Sequence, residues 1–270
     1  MNETKKPLLT RFKQSIDWRL FAILLALVAF GLLMLTPYGL TIAGEVLDRE
    51  MVLTLFPQFM LQIVLFSVVL WIGLVLAPKA GLTLPILAAW AKGERPQAIW
   101  QCLSTGVWLG IAGGLAIIVL EVFVFAPLMA EEIALMEGMV TRPPVWQGFL
   151  ASFYGGIVEE VLLRLYFMTL LVWLGMRLTR QKDGAPAAWL VWIAIVIAGI
   201  VFGIAHLPTA IELGIELTPL FLVRTLTLNS IGIVFGWLYW KKGFESAVVS
   251  HFCADIMIHV VGALLVVWLT

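Results

Sequence analysis

Long apolar runs separated by short polar connections set the pattern of this chain. Runs able to cross a bilayer, which takes about 20 residues at ~1.5 Å of rise each, occur at 20–41, 52–77, 102–126, 147–175, 187–207, 219–240 and 246–269. The pattern predicts an all-α, polytopic transmembrane bundle of about seven helices. Between the second and third runs, GLTLPILAAWAKGERP (81–96) is too short and too broken by proline to span. It is expected to lie as an amphipathic segment on the inner interface. No internal repeat or low-complexity tract interrupts the series, so 20–270 reads as one transmembrane domain behind a short basic arm, 1–19.

The connections alternate in charge. The arm is positive through Lys5, Lys6, Arg11, Lys13 and Arg19, and residues 42–51 are negative through Glu45, Asp48 and Glu50. Next, 78–101 is positive (Lys79, Lys92, Arg95) and 127–146 negative (Glu131, Glu132, Glu137). Then 176–186 is positive (Arg177, Arg180, Lys182), 208–218 negative (Glu212, Glu216) and 241–245 positive (Lys241, Lys242). The positive-inside rule therefore places the N-terminus in the cytoplasm. The basic arm followed by an apolar run has the layout of a signal peptide, but the run continues to about Leu35 without a small-residue cleavage site, so it is read as an uncleaved first helix.

Composition agrees. Of 270 residues 62% are hydrophobic and 13% charged, against roughly half and a quarter in soluble domains. An integral, multi-pass membrane protein is expected, in the plasma (inner) membrane if the source is bacterial. Several of its twelve tryptophans, among them Trp18, Trp90, Trp146, Trp189, Trp240 and Trp268, stand near run ends as interfacial anchors. The net charge of zero gives no reason to expect nucleic-acid binding. Cys102 and Cys253 have no metal-binding or disulfide spacing and are read as buried thiols.

The informative residues are the ionisable ones inside apolar runs. In FYGGIVEEVLLRLYF (153–167), Glu159, Glu160 and Arg164 fall within six residues, although a carboxylate at mid-bilayer depth costs at least ~2.5–3.5 kcal/mol. Glu160 and Arg164, four apart, share a face in the favourable order for an ion pair. Glu159 points about 100° away, which leaves one carboxylate paired and one free for proton transfer. VFGIAHLP (201–208) sets Phe202 four residues before His206, and SHFCADIMIH (250–259) spaces His251, Asp255 and His259 by fours. Asp255 is positioned to orient His251 through a ring nitrogen, and His259 reads as structural. Glu121 and Arg224 fall at similar expected depths and are expected to pair.

Together these three sets, Glu-Glu-x3-Arg, Phe-x3-His and His-x3-Asp on separate spans, resemble the CAAX prenyl protease and bacteriocin-processing (CPBP, abortive-infection) family of glutamate-dependent intramembrane endopeptidases. The resemblance covers about 147–270. It implies that Glu159 and His206 activate a water for attack on a peptide carbonyl. His251 and Asp255 would stabilise the oxyanion, with Glu160, Arg164 and Phe202 in support. The family's third motif usually ends in asparagine where this chain has Asp255. No motif position holds a serine or cysteine, so no acyl-enzyme is expected. The resemblance implies no metal cofactor, and its substrate would be a membrane-anchored or amphipathic peptide in the bilayer. Two alternatives remain open: a zinc-dependent hydrolase using the same residues, although no HExxH-like spacing is present, and a non-catalytic membrane immunity or scaffold protein.

Overall fold

The computed structural model describes residues 16–96, 99–131, 134 and 141–265, and among these it holds helices and no strand. In chain order these are α1 (Trp18–Ala43), α2 (Arg49–Leu76), the short α3 (Pro85–Ala91), α4 (Ile99–Leu128), α5 (145–178), α6 (Ala188–Ile204), α7 (Leu207–Glu212), α8 (Pro219–Lys242) and α9 (Phe244–Leu265). Lys5, Lys6, Arg11, Lys13, Glu132, Glu137 and Trp268 lie outside the described residues.

Among the described residues six helices are long and apolar enough to cross a membrane: α1, α2, α4, the joined α6–α7, α8 and α9. The remaining expected span, 147–175, is helical too, as part of α5, but differs in kind from the other six. Two π-helical stretches, Tyr154–Glu159 and Val161–Met168, run through it, and it carries the three ionisable residues. Helix ends follow local chemistry. The Asp17 carboxylate accepts from the backbone N–H groups of Arg19 (2.9 Å) and Leu20 (3.2 Å), which starts α1 two residues before the expected boundary. α6 stops at Ile204, short of the expected 207, and Pro208 opens α7. Proline is suited to a first helical turn because it has no N–H to leave unpaired. His206 thus sits at a break between two helices.

α5 runs through the core. Its buried Val158, Val161, Leu165, Met168 and Val172 pack with Leu24 and Val28 of α1, Leu70 of α2, Ile195 of α6 and Phe235 of α8. α4 and α9 approach much more closely than bulky side chains would permit. Gly106, Gly110 and Gly114 on α4, one turn apart, face Ser246, Ser250 and Ala254 on α9. A Cβ on Gly106 would lie 2.5 Å from the Ser246 carbonyl oxygen, and one on Gly114 2.8 Å from that of Ala254. Lipid supplies no hydrophobic force between helices, so close contact along small residues is what holds such a seam. It also fixes the register of α9, the helix that carries His251 and Asp255.

The segment expected to lie on the interface is only partly helical, and it is pinned rather than free. Ile86, Leu87 and Ala91 are buried. The buried Glu245 carboxylate accepts from the N–H groups of Ile86 (2.9 Å) and Leu87 (2.7 Å), while Phe244 N–H donates to Thr83 O at 3.0 Å. The expected Glu121–Arg224 pair is present and forked. Arg224 Nε donates to both carboxylate oxygens of Glu121 (3.2 and 2.9 Å), and Nη2 donates to Oε1 at 2.7 Å.

The α4–α9 seam makes a direct prediction. A Cβ on Gly110 would run into Ser250 O and lie 2.8 Å from Cys253 Cβ. Gly110→Val should therefore lose about 1–3 kcal/mol, the usual cost of overpacking, read as a lower midpoint of thermal unfolding in detergent. Valine at Gly39, which has nothing within 4 Å of its Cβ position, should fall well short of that loss.

Candidate active site

Four helices deliver the polar residues to one place. α5 supplies Glu159, Glu160 and Arg164, and the end of α6 supplies Phe202. α8 contributes Gly232 and Phe235, and α9 contributes His251 and Asp255. At the centre is Glu160, whose side chain is fully buried. Its Oε1 lies 2.9 Å from Arg164 Nη1 and accepts from His251 Nδ1 at 2.8 Å. A carboxylate can only accept, so His251 Nδ1 carries its hydrogen. Glu160 therefore keeps Nδ1 protonated and fixes the orientation of the ring.

Arg164 is fully buried as well. Its Nη2 donates to Gly232 O at 2.9 Å, and its guanidinium stands 5.0 Å from the Phe202 ring centroid and 5.3 Å from that of Phe235. Buried between aromatic faces, a guanidinium gains cation–π attraction in place of part of its lost hydration. Gly232 makes the approach possible, since a Cβ there would lie 2.8 Å from Arg164 Nη2 and 3.0 Å from the Phe202 ring.

The other edge of His251 faces the remaining two acids. Nε2 is 3.6 Å from Glu159 Oε2 and 3.6 Å from Asp255 Oδ1. Both separations exceed a direct hydrogen bond. Glu159 and Asp255 are partly exposed where Glu160 is sealed, with side-chain exposures of 24% and 14% against 0%. Two carboxylates adjacent in sequence thus have opposite surroundings, one locked in an ion pair and the other reachable. The Phe235 ring lies flat on the His251 imidazole, with centroids 4.5 Å apart and planes 19° apart, and Phe202 meets it edge-on at 5.4 Å.

Of the residues anticipated from sequence, Glu159, Glu160, Arg164, Phe202, His251 and Asp255 come together. His206 stands one ring away. Its Nδ1 is 2.8 Å from Phe202 O and its ring is edge-to-face with Phe202 at 4.9 Å, but it is exposed and has no hydrogen bond or ion pair to Glu159 among the described residues. The carbonyl can only accept, so His206 Nδ1 bears the hydrogen. The geometry of orientation also differs from the expected one: the short contact to the His251 ring comes from Glu160, with Asp255 on the opposite edge. Sequence reading missed Phe235 and Gly155. A Cβ on Gly155 would collide with Asp255 Oδ2 and lie 3.1 Å from His251 Nε2, so the Gly155-Gly156 pair before the glutamates was the available signal. Among the described residues no group of three or more His, Cys, Asp or Glu is arranged to hold a metal ion.

Residues 141–257 match the family model described as Type II CAAX prenyl endopeptidase Rce1-like. This segment of the chain is similar to that family, over a little under half of the sequence. It includes every residue of the cluster, from Gly155 to Asp255, and ends before His259. α1, α2 and α4 lie outside it. No curated protein and no solved structure matches the chain. The apolar helices are those of a multi-pass integral membrane protein, and the matched family is one of membrane proteases.

Removing the guanidinium would leave Glu160 buried without its cation. Arg164→Met should cost about 3–5 kcal/mol, as breaking one side of a buried ion pair does. The double variant Glu160→Gln/Arg164→Met should recover much of that loss, as read from thermal unfolding of the two purified proteins in one detergent.

Proposed function

We propose that the chain is an intramembrane endopeptidase in which Glu159 is the general base for a water held between its carboxylate and His251. The observation that carries this reading is the convergence on His251 Nε2 of a reachable carboxylate, Glu159 Oε2, and a second acid, Asp255 Oδ1, both at 3.6 Å. Glu160 meanwhile holds the ring from behind at 2.8 Å. Glu159 takes a proton from the water, and the oxygen adds to the carbonyl carbon of the scissile peptide. His251 in its imidazolium form donates from Nε2 to the resulting oxyanion while Nδ1–H stays on Glu160. Preorganised donors of this kind contribute a few kcal/mol to the transition state. Collapse of the tetrahedral intermediate breaks the C–N bond, and Glu159 returns its proton to the leaving amine. His206, exposed and with its Nδ1 held on Phe202 O, would relay a proton toward solvent through Nε2. No serine, cysteine or metal is required by this sequence of steps.

The substrate in this reading is a membrane-anchored or amphipathic peptide, because the cluster is carried on membrane-type helices and is roofed by aromatic rings. Asp255 serves as a polar neighbour of His251 Nε2 rather than as an obligatory acid.

The test is a comparison of membrane-peptide termini in cells carrying the wild-type chain or Glu159→Gln at equal protein levels. Intact precursors should accumulate in the variant, and activity on a recovered precursor should fall ~10²–10⁴-fold, the usual scale of a lost general base. Asp255→Asn should keep activity within roughly tenfold, since the amide can still hydrogen-bond the same water. Identical termini in wild-type and Glu159→Gln cells would overturn the peptidase reading in favour of a non-catalytic membrane partner.

A further inference from the structure

Hydrolysis of a peptide bond consumes a water and leaves a carboxylate and an ammonium, so a site inside a bilayer must open to water. Polar groups at membrane depth face either the bundle interior or such a water-filled cavity. The end of the bundle that supplies the opening decides on which side of the membrane the bond is cut.

The two ends are chemically distinct. The basic connections 78–101, 176–186 and 241–245 meet at one of them. Gly184 N–H donates to Lys79 O (2.7 Å), Phe244 N–H to Thr83 O (3.0 Å) and the Cys102 thiol to Lys242 O (3.0 Å). Every lysine of the chain lies in these connections or in the arm. The opposite end carries the acidic connections 42–51, 127–146 and 208–218, and the Glu121–Arg224 pair ties α4 to α8 toward it. The positive-inside rule assigns the basic end to the cytoplasm.

The cluster is graded between these ends, in the same direction on three helices. α5 starts at the acidic end, and on it Glu159, 24% exposed, comes before the fully buried Glu160 and Arg164. α6 starts at the basic end, and the exposed His206 follows the buried Phe202 by one turn. α9 also starts at the basic end, and Asp255, 14% exposed, follows the buried His251 by one turn. Each reachable residue thus lies on the acidic side of the sealed one. Toward the basic end the interior is closed. Leu165 and Met168 of α5, Leu238 of α8 and Ala247 of α9 are fully buried, and the buried Thr169 and Tyr239 hydroxyls bond each other at 3.0 Å. Toward the acidic end there is space, a cleft of about 600 Å³ with Tyr38, Glu121, Arg224 and His259 in its walls. His259 stands one turn beyond Asp255 on α9, its ring edge-to-face with Tyr38 at 5.7 Å.

We propose that the catalytic centre opens to the non-cytoplasmic side of the membrane and cuts peptides whose scissile bond has already been carried to that side. The inference rests on the peptidase reading for what is cut, and it names the substrate class: membrane-anchored peptides exported or inserted before cleavage. Translocation of a polypeptide is therefore the class of reaction that supplies the substrate. A bond still in the cytoplasm would have to pass the closed half of the bundle to reach Glu159.

The experiment reads the side of the opening directly, on the full-length chain in right-side-out and inverted vesicles from a bacterial host. Single cysteines are placed in a Cys102→Ser/Cys253→Ser background and treated with a charged, membrane-impermeant methanethiosulfonate. Thr209→Cys, on α7 at the acidic end, and Thr179→Cys, at the basic end, report the orientation of the chain. Glu159→Cys and Asp255→Cys report the site, placed singly so that the result does not depend on one variant folding. Thr209→Cys and both site cysteines should be labelled in right-side-out vesicles and lose that labelling in inverted ones, with Thr179→Cys showing the reverse. Site cysteines labelled from the Thr179 side, or from neither side, overturn the proposal, as does Thr179→Cys labelled in right-side-out vesicles. A second readout follows the peptides that differ between wild-type and Glu159→Gln cells. Their new amino termini should react with an impermeant amine reagent in right-side-out vesicles, and termini confined to the cytoplasmic side overturn the proposal while leaving the peptidase reading intact. Outward labelling of the site with identical termini in the two strains keeps the opening and sinks the peptidase reading.

Discussion

A single oxygen atom, Glu160 Oε1, joins the scaffold to the chemistry. It sits 2.9 Å from a fully buried guanidinium and 2.8 Å from the His251 ring, so α5 and α9 are tied together at the point where the site must be accurate. Arg164 extends the tie to α8 through Gly232 O. A buried ion pair is a poor way to gain stability, because a well-packed apolar pair of similar volume does as well or better. The apolar alternative would lack an acceptor for Nδ1–H, and His251 would lose its fixed direction. The cost of two buried charges therefore makes sense as the cost of aiming one imidazole. Adjacent Glu159 gains from the same arrangement: with Glu160 committed to Arg164 and His251, the partly exposed carboxylate is left to meet water.

Glycine makes this convergence sterically possible. Gly155 lets α5 come close enough for Asp255 and His251 Nε2 to share space with its backbone, Gly232 does the same for Arg164, and Gly106, Gly110 and Gly114 let α4 seat α9. Where lipid replaces water, helices gain little by hiding apolar surface from one another, and packing density decides which pairs associate. The helices outside the matched segment thus help to build the candidate site. α4 sets where α9 lies and α1 brings Tyr38 beside His259, although neither carries a residue of the central cluster.

Much of this could be read from the sequence, for a physical reason. Ionisable residues in apolar runs are conspicuous because burial penalises them, so Glu159, Glu160, Arg164, His251 and Asp255 stood out, as did the Glu121–Arg224 pair across 103 positions. The i,i+4 spacing gave the Glu160–Arg164 contact directly. Phe235 was invisible: one more aromatic residue in an apolar run carries no mark of stacking on a histidine. Glu245 was assigned only to a connection, because its role as the cap of α3 depends on a partner 159 positions away. The orientation of His251 by Glu160 rather than Asp255 could not be derived from periodicity either. It depends on how α5 and α9 face each other, which glycine contacts and π-helical turns decide jointly.

The π-helical turns link the site to its surroundings. A π turn closes on the fifth residue rather than the fourth, so it shifts the side chains that follow it around the helix. Along α5 the two stretches flank Glu160 and bracket the run from Tyr154 to Met168, and the Thr169 hydroxyl donates back to Arg164 O at 3.0 Å, five residues earlier. A regular α-helix would have kept Glu159 about 100° from Glu160 on a fixed spiral. The altered winding adjusts where the pair points while the chain stays hydrogen-bonded, which in a bilayer it must. The same device recurs on α9 just beyond Asp255 and on α4 at Glu121, while Arg224 and Glu245 lie on α-helical turns. At Glu159 and Glu160, beside Asp255 and at Glu121 the winding departs from the α-form next to a charged residue, so that local winding helps set where these side chains point.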